Sequence, residues 1–437
     1  MQAPRERARG LGHQLCSVAA VALLYVLGAC AAAPASAPAP VRTAESVDLL
    51  EPGLSFDRHF VAGTPEAVGL SRAALERLVA DARAADTDAL LVVKNGKIVV
   101  ERYFGRPQAP IEIMSVNKSI SCLAILRLLT DGKIDSLDAP LSTWYPEWGT
   151  GAKAAVTVRH VLTHTSGLEH DKMADELAKQ DDRLEYVRGK PITVAPGHVF
   201  SYNNEAVQLL SGIVRAAAGK PIDAYLGEVL FKPLGIDTWT WEHDKAGNAM
   251  TYYGLALTAR DLAKIGVMLL QRGAYDGKTI LSAEWVARAT SAQSEAVPYH
   301  GLLFWIRNRG PHFIQTVERV AALERRGFGA ASKLAPLTGQ RFGNQVSYWL
   351  AAGSILGDDE RAALVSALGD DNMPFVVQPR RQIGFYANGW LGQYLLVYPE
   401  LGIVVVRQHR APPGRNTEEE NTAHGFKQLP DLIEASW

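Results

Sequence analysis

The rest of the chain is organised around the stretch Ile113-Met114-Ser115-Val116-Asn117-Lys118-Ser119-Ile120, because it opens a segment that is apolar on nearly every side and ends at Gly132. A helix of that composition is buried, so this segment is expected to form the central helix. Ser115 and Lys118 are three residues apart, which places both side chains on one face of the helix, one turn apart. Ser115 would lie at the helix N-terminus, where backbone N–H groups favour negative charge.

The pair Ser115 and Lys118 is typical of a serine nucleophile and its base. A serine hydroxyl is a poor nucleophile unless a base takes its proton, and Lys118 can do so only when it is neutral. Burial at the floor of a pocket lowers a lysine pKa in that direction. The alternative is a helix-capping serine followed by a surface lysine. A lone Ser-x-x-Lys is expected by chance roughly once in a chain of this size, so further motifs must decide.

The N-terminus has the pattern of a targeting segment. A basic start is followed by an apolar run at residues 18–27, which is too short to span a bilayer comfortably. Leu27-Gly28-Ala29-Cys30 then resembles the bacterial lipobox, in which the cysteine is lipidated; the alternative is an ordinary cleaved signal. We expect residues 1–30 to be a lipoprotein signal peptide and residues 31–60 a tether and lead-in. Lipidated Cys30 would anchor a periplasm-facing protein to a membrane of the bacterial cell envelope.

Composition indicates an ordinary globular domain over residues 61–437. The 437-residue chain is 47% hydrophobic and 21% charged, with a formal net charge of -1. No basic run follows the first ten residues, so no nucleic-acid partner is expected. Of the three cysteines, Cys16 and Cys30 fall in the leader, and Cys122 falls in the apolar helix. A disulfide framework in the mature domain is therefore excluded.

The predicted elements run in the order strands, helices, strands. Asn95-Gly96 between two β-rich runs predicts an early hairpin. Helices are predicted in the middle, at residues 206–218 and 258–272 among others. Further strands are predicted at residues 299–306, 383–386, 394–398 and 403–407. The order favours an α+β fold, with one antiparallel sheet built from both ends of the chain, flanked by helices, and an inserted all-helical domain. A second, helical insertion is expected at about residues 309–381, either functional or peripheral.

A second motif lies in Pro196-Gly197-His198-Val199-Phe200-Ser201-Tyr202-Asn203-Asn204. Tyr202 would supply a phenol that can pass a proton from a lysine to a leaving group. The amide of Asn204 would hydrogen-bond the substrate and hold Lys118. The alternative is a Tyr-Asn turn with a buried ring.

Together these motifs resemble the superfamily of serine β-lactamases, penicillin-binding proteins and carboxylesterases, in its class C-like branch. The resemblance also rests on Thr157 to Leu168, Pro233-Leu234-Gly235, Thr258 to Ala263 and Gly389 to Gln393. It implies a β-lactamase/transpeptidase-like fold in which Ser115 is acylated, Lys118 takes its proton and Tyr202 shuttles that proton. The third motif of the family matches Ala387-Asn388-Gly389. The N–H of Trp390 would then pair with that of Ser115 as an oxyanion hole.

One departure from the family pattern narrows the range of expected substrate classes. Members acting on penicillins or D-Ala-D-Ala peptides usually carry Lys or His where this chain has Ala387. We therefore expect a small or peptide-like ester or amide as the substrate, as in the esterase and 6-aminohexanoate-dimer hydrolase-like members. The alternatives are a β-lactamase or DD-peptidase, and a binding module without turnover. No cofactor is expected, and no metal, because His160, His164 and His170 have spacings that fit no familiar zinc pattern.

Overall fold

The computed structural model describes residues 48–54, 60–171, 174–294, 297–343, 345–368, 373–378, 381–410, 421 and 424–437. The predicted signal peptide, Cys30 and most of the tether lie outside these residues. The chain divides into two compact units. Residues 43–307 with 383–437 form the main unit, and residues 308–382 form the other. Within the described residues, the helices are all too short or too polar to cross a bilayer.

The strands and helices have the following bounds. The strands are β1 (Val61–Ala62), β2 (Ala89–Lys94), β3 (Lys97–Arg102), β4 (Ile111–Glu112), β5 (Thr240–Trp241), β6 (Leu255–Leu257), β7 (Ala274–Tyr275), β8 (Lys278–Thr279), β9 (Trp305–Arg309), β10 (His312–Gln315), β11 (Arg341–Phe342), β12 (Phe375–Gln378), β13 (Arg381–Gly389), β14 (Gln393–Tyr398) and β15 (Ile403–Gln408). The α-helices are α1 (Arg72–Ala84), α2 (Val116–Thr130), α3 (Val158–Leu162), α4 (Asp175–Ala178), α5 (Arg183–Gly189), α6 (Asn204–Ala218), α7 (Ile222–Leu226), α8 (Ala259–Leu270), α9 (Ala283–Ala289), α10 (Val317–Arg325), α11 (Gln345–Ile355), α12 (Asp358–Ala367) and α13 (Leu429–Glu434).

The main sheet has seven strands in the order β1-β3-β2-β15-β14-β13-β9. Apart from the parallel pair β1 and β3, the pairs β3–β2, β2–β15, β15–β14 and β14–β13 are all antiparallel. Val92 of β2 lies opposite Val405 of β15, so the two ends of the chain meet at the centre of the sheet. The predicted antiparallel sheet from both ends of the chain is confirmed.

Both faces of this sheet are covered, which explains why its central strands are apolar throughout. Side chains alternate across a strand, so Leu90 and Val92 face one layer while Leu91 and Val93 face the other. The first layer is completed by α1 and α13. The second contains α2 and α8, and continues into the helices of the middle of the chain.

Two sequence predictions need correction. The strand expected at residues 299–306 begins only at Trp305. Before it, the N–H groups of Leu302 and Leu303 donate to the carbonyls of Ala289 and Leu162, and Leu303 has a φ of 56°. A backbone tied to helix ends in this way cannot form a strand ladder. A separate all-helical domain is not confirmed either, because the middle helices share one hydrophobic core with the sheet.

Residues 308–382 connect β9 to β13, which are neighbours in the main sheet. The segment contains helices α10, α11 and α12, together with a three-stranded sheet in the order β11-β10-β12. It has its own core, in which the rings of Phe313, Tyr348 and Phe375 pack edge to face.

Candidate active site

Ser115 stands at the N-terminus of α2, the buried central helix. Met114 before it adopts a left-handed conformation with a φ of 48°, which is strained for a residue with a side chain. The Ser115 side chain makes no capping hydrogen bond to the helix. Instead, its Oγ lies 2.8 Å from the Nζ of Lys118. This geometry removes the alternative of a helix-capping serine.

Lys118 is buried, with 2% of its surface exposed, so it is not a surface lysine. Besides Ser115 Oγ, its Nζ contacts the backbone carbonyl of Tyr252 at 3.0 Å. Burial lowers the pKa of Lys118 to about 7. The uncharged fraction of this amine at neutral pH is therefore roughly three orders of magnitude larger than that of a lysine with an ordinary pKa.

Polar side chains on α2 hold the loop that positions Lys118. Asn117 is fully buried and donates from Nδ2 to the carbonyls of Met250 and Tyr253, at 2.7 and 2.5 Å. Ser121 donates to the carbonyl of Thr251 at 2.9 Å. Residues 250–253, and with them the carbonyl of Tyr252, are thus fixed against the helix. This role of Asn117 was not predicted, although a polar residue among the apolar side chains of a buried helix is a signal for it.

Tyr202 is the second group at Ser115. Both residues line the same cavity, and desolvation raises the pKa of the Tyr202 phenol to about 12, although the nearby Ser115 side chain acts in the opposite direction. The Nζ of Lys118 lies 4.8 Å from the centroid of the Tyr202 ring. The ring also stacks on Trp305 at a centroid distance of 6.2 Å. At neutral pH Tyr202 is therefore a protonated phenol, able to donate a proton.

His164 fixes the backbone on both sides of Tyr202. The N–H of Ser201 donates to the His164 carbonyl at 2.8 Å, and the N–H of Asn203 donates to His164 Nδ1 at 3.2 Å. The His164 ring packs on Tyr202 at 4.6 Å between centroids. Burial lowers the pKa of His164 well below its usual range, so the ring stays neutral and Nδ1 remains an acceptor.

Gly389, at the end of β13, touches the backbone of the nucleophile. A Cβ added at Gly389 would lie 2.9 Å from the N of Ser115 and 2.7 Å from the carbonyl oxygen of Ile113. Only glycine allows this approach. Buried Arg407 stabilises the turn that follows Gly389, because it donates to the carbonyls of Leu391 and Gly392 at 2.8 Å each. The third motif thus lies beside Ser115, and Ala387 within it is buried.

A cavity of about 310 Å³ opens over Ser115. Its remaining lining is aromatic, small or polar: Tyr202, Trp305, Asn388, Gly389, Trp390, Gly392, Tyr394, Asn421, Gly425 and Lys427. Four of the predicted site residues, namely Ser115, Tyr202, Gly389 and Trp390, therefore meet at one cavity, with Lys118 beneath them. Asn204 is the first residue of α6 and is not part of this lining; Asn203 before it caps the helix by accepting from the N–H of Ala206.

These features define a class of α+β protein in which a serine at the start of a buried helix meets a buried lysine, a tyrosine and the end of a sheet strand. The chain belongs to the Beta-lactamase family, whose model matches residues 74–427. The fold class predicted from the sequence is therefore confirmed at the level of a β-lactamase/transpeptidase-like fold.

Individual relatives differ in their described activities. Esterase EstB of Burkholderia gladioli is 31% identical over 176 residues, which is 33% of this chain and 44% of that protein. A candidate 6-aminohexanoate-dimer hydrolase from Bacillus anthracis has a similar structure, with a TM-score of 0.55 and 18% identity over 83% of this chain and 82% of that one. A penicillin-binding protein homologue from Caulobacter crescentus has a TM-score of 0.53 and 16% identity, over 86% and 99% of the two chains. The chain thus spans less than half of EstB, and the two structures establish the fold alone.

Proposed function

We propose that this protein is a serine hydrolase that cleaves ester or amide bonds through an acyl-enzyme on Ser115. The observation that carries the proposal is the 2.8 Å contact between Ser115 Oγ and the buried amine of Lys118. A nucleophile within hydrogen-bond distance of a neutral base is the arrangement that covalent catalysis requires. The family and the esterase relative support hydrolysis as the reaction class.

In the proposed reaction, neutral Lys118 takes the Ser115 proton as Oγ attacks the carbonyl carbon of the substrate. The N–H groups of Ser115 and Trp390 hold the developing oxyanion; the contact of Gly389 with Ser115 N supports this pairing. The phenol of Tyr202 donates its proton to the leaving group and regains one from Lys118. Water then attacks the acyl-enzyme with the same groups in reverse. The pKa values of about 7 and 12 favour Lys118 over Tyr202 as the base.

A neutral ester is the substrate class that we propose first. Ala387 is buried and apolar at the position where the resemblance places a cation in enzymes that act on penicillins. An uncharged acyl group needs no such cation. The four aromatic rings that line the cavity, from Tyr202, Trp305, Trp390 and Tyr394, offer an apolar surface to a short acyl chain or an aromatic leaving group.

A second candidate substrate class carries a carboxylate, as β-lactams and cell-wall peptides do. The observation that favours it is Lys427, an exposed cation that lines the same cavity as Ser115. A charge-assisted hydrogen bond of this kind is worth about 1.5–3 kcal/mol, which corresponds to roughly ten- to a hundredfold in rate. Lys427→Met should then reduce nitrocefin turnover by that factor and leave p-nitrophenyl butyrate turnover nearly unchanged.

The test of the nucleophile is intact mass spectrometry after exposure to a fluorophosphonate and, separately, to penicillin. The wild type should gain one adduct with the fluorophosphonate, and Ser115→Ala should gain none and lose esterase activity. Ser119→Ala is the matched control, because Ser119 lies on the same helix but donates to the carbonyl of Leu303. Undiminished labelling of Ser115→Ala would contradict the assignment, and an unlabelled, inactive wild type would indicate the binding module without turnover.

A further inference from the structure

Three metal-binding side chains meet at the end of β15, outside the catalytic groups. Asp86, His409 and His424 each offer one ligand atom, and these atoms lie within 4.8 Å of one another. His409 directly follows β15 and is buried, with 1% of its surface exposed. Its ring stacks on that of His424 at a centroid distance of 5.1 Å. Asp86 is 323 residues from His409 in sequence, so no short spacing motif predicts the cluster.

The hydrogen bonds of His409 leave one nitrogen ready for a ligand. Its Nδ1 lies 2.6 Å from the backbone carbonyl of Asp86, so Nδ1 carries the proton and Nε2 presents a lone pair. That Nε2 is buried and has no hydrogen-bond partner among the described residues. Metal-bound histidines commonly have this arrangement, in which the second ring nitrogen donates to a carbonyl and fixes the tautomer.

His424 has an unpartnered atom of the same kind. Its Nδ1 is buried and has no hydrogen-bond partner within the described part of the chain. Leaving two buried imidazole nitrogens unpaired destabilises the folded protein, whereas one bound cation would satisfy both. One ring nitrogen of each histidine also lies within 4.8 Å of the other histidine's ligand nitrogen and of an Asp86 carboxylate oxygen.

The charges around the cluster indicate which kind of ion fits. Arg106 pairs with both Asp86 and Asp88, at 2.5 and 2.8 Å, and buried Arg407 lies close enough to interact with the same two carboxylates. Two arginines thus balance two aspartates. Attraction for a hard cation such as Ca²⁺ or Mg²⁺ is therefore weak, because those ions need several negative oxygens. Imidazole nitrogens suit Zn²⁺, Cu²⁺ or Ni²⁺.

We propose that Asp86, His409 and His424 bind one divalent transition-metal ion, with Zn²⁺ as the best-matched ion. Two imidazoles and one carboxylate form a three-ligand set, to which water adds a fourth ligand. Small side-chain rotations bring atoms within 4.8 Å of one another to the spacing of a tetrahedral site.

The metal would join three separate parts of the chain. Asp86 lies between α1 and β2, His409 follows the central strand β15, and His424 belongs to the segment that supplies Asn421 and Lys427 to the cavity. The N–H of Leu391 also donates to Asn421 Oδ1 at 2.8 Å. Metal binding should therefore stabilise this wall of the cavity. The metal site itself does not depend on the proposed hydrolase chemistry.

The experiment titrates the metal-free full-length protein with Zn²⁺ and with Co²⁺. The wild type should bind one Zn²⁺ per chain by equilibrium dialysis, show the visible d–d band of Co²⁺ with nitrogen ligands, and melt at a higher temperature with Zn²⁺. His424→Ala and Asp86→Asn should each weaken Zn²⁺ binding at least tenfold. Asp86 has a φ of 51°, a left-handed conformation that asparagine tolerates, so this variant should fold.

His312→Ala is the matched control, because His312 also has buried ring nitrogens without hydrogen-bond partners among the described residues but belongs to no three-ligand cluster there. It should bind Zn²⁺ like the wild type. A wild type that binds less than one Zn²⁺ per chain would overturn the proposal. Equal Zn²⁺ affinity of the wild type, His424→Ala and Asp86→Asn would do the same.

Discussion

The charge on Lys118 decides the pH range in which Ser115 is reactive. Because burial lowers the pKa of Lys118 to about 7, the base is protonated below that pH and neutral above it. We expect kcat/KM for p-nitrophenyl butyrate to rise tenfold per pH unit below about 7 and to level off above it. Tyr202, with a pKa of about 12, should add no transition in this range. A stopped-flow pH profile of acylation measures this, and a midpoint near 10 would mean that Lys118 is not desolvated.

His164 is expected to act on catalysis through Tyr202, as a positioning residue. His164→Ala leaves the N–H of Asn203 without its acceptor, which costs about 1–3 kcal/mol, and frees the loop that carries Tyr202. We expect kcat to fall about tenfold or more while KM changes little. His164→Asn, which keeps an acceptor near the Nδ1 position, should recover much of that loss. Equal activity of the two variants would show that the hydrogen bond is unimportant.

At the scale of single residues, the sequence predicted the groups that are neighbours along the chain. Ser115 and Lys118 could be placed together because a helix brings residues i and i+3 to one face. The contact of the Tyr252 carbonyl with Lys118 and the place of Lys427 in the cavity lining could not be predicted, because tertiary packing alone produces them. The same reason hides the cluster of His409 and His424.

At the scale of elements, Gly266 lets α8 pack directly on the main sheet. A Cβ at this position would lie 2.5 Å from Val404 Cγ1 and 2.8 Å from Leu395 Cδ1. Gly266→Ala should gain about 1 kcal/mol in helix propensity but lose about 1–3 kcal/mol to overpacking, for a net destabilisation. In the control Gly353→Ala, also within a helix, the nearest atom is 3.9 Å away, and the protein should become more stable. Urea unfolding of both variants tests the difference in sign.

The elements themselves were predictable wherever their pattern was local. The Asn95-Gly96 hairpin and the helices at residues 204–218 and 259–270 follow from turn chemistry and periodicity. The prediction that a strand begins at residue 299 was wrong, because hydrophobic composition does not reveal the partners of the backbone hydrogen bonds. The small sheet within residues 308–382 was missed, since its strands are two to four residues long and carry too little pattern.

At the scale of the whole molecule, the anchor at Cys30 remains a prediction. We expect the wild type, expressed in a bacterial host, to incorporate labelled fatty acid and to fractionate with membranes. Cys30→Ala should lose the label, because it lacks the thiol that is lipidated. It should also fractionate less with membranes, because several acyl chains hold a protein there firmly. Cys122→Ala is the control, since that thiol is buried in α2. An unlabelled wild type would favour an ordinary cleaved signal.

The pairing of β2 with β15 sets a condition on biosynthesis. Val92 leaves the ribosome long before its partner Val405, so the nascent chain carries β2 with an unpaired edge through most of translation. Exposed apolar strand edges invite association with other chains. Sheet closure must wait for residue 408, and premature termination anywhere before β15 would leave the edge of β2 opposite β3 without its partner. Truncated products should therefore aggregate rather than accumulate as smaller folded proteins.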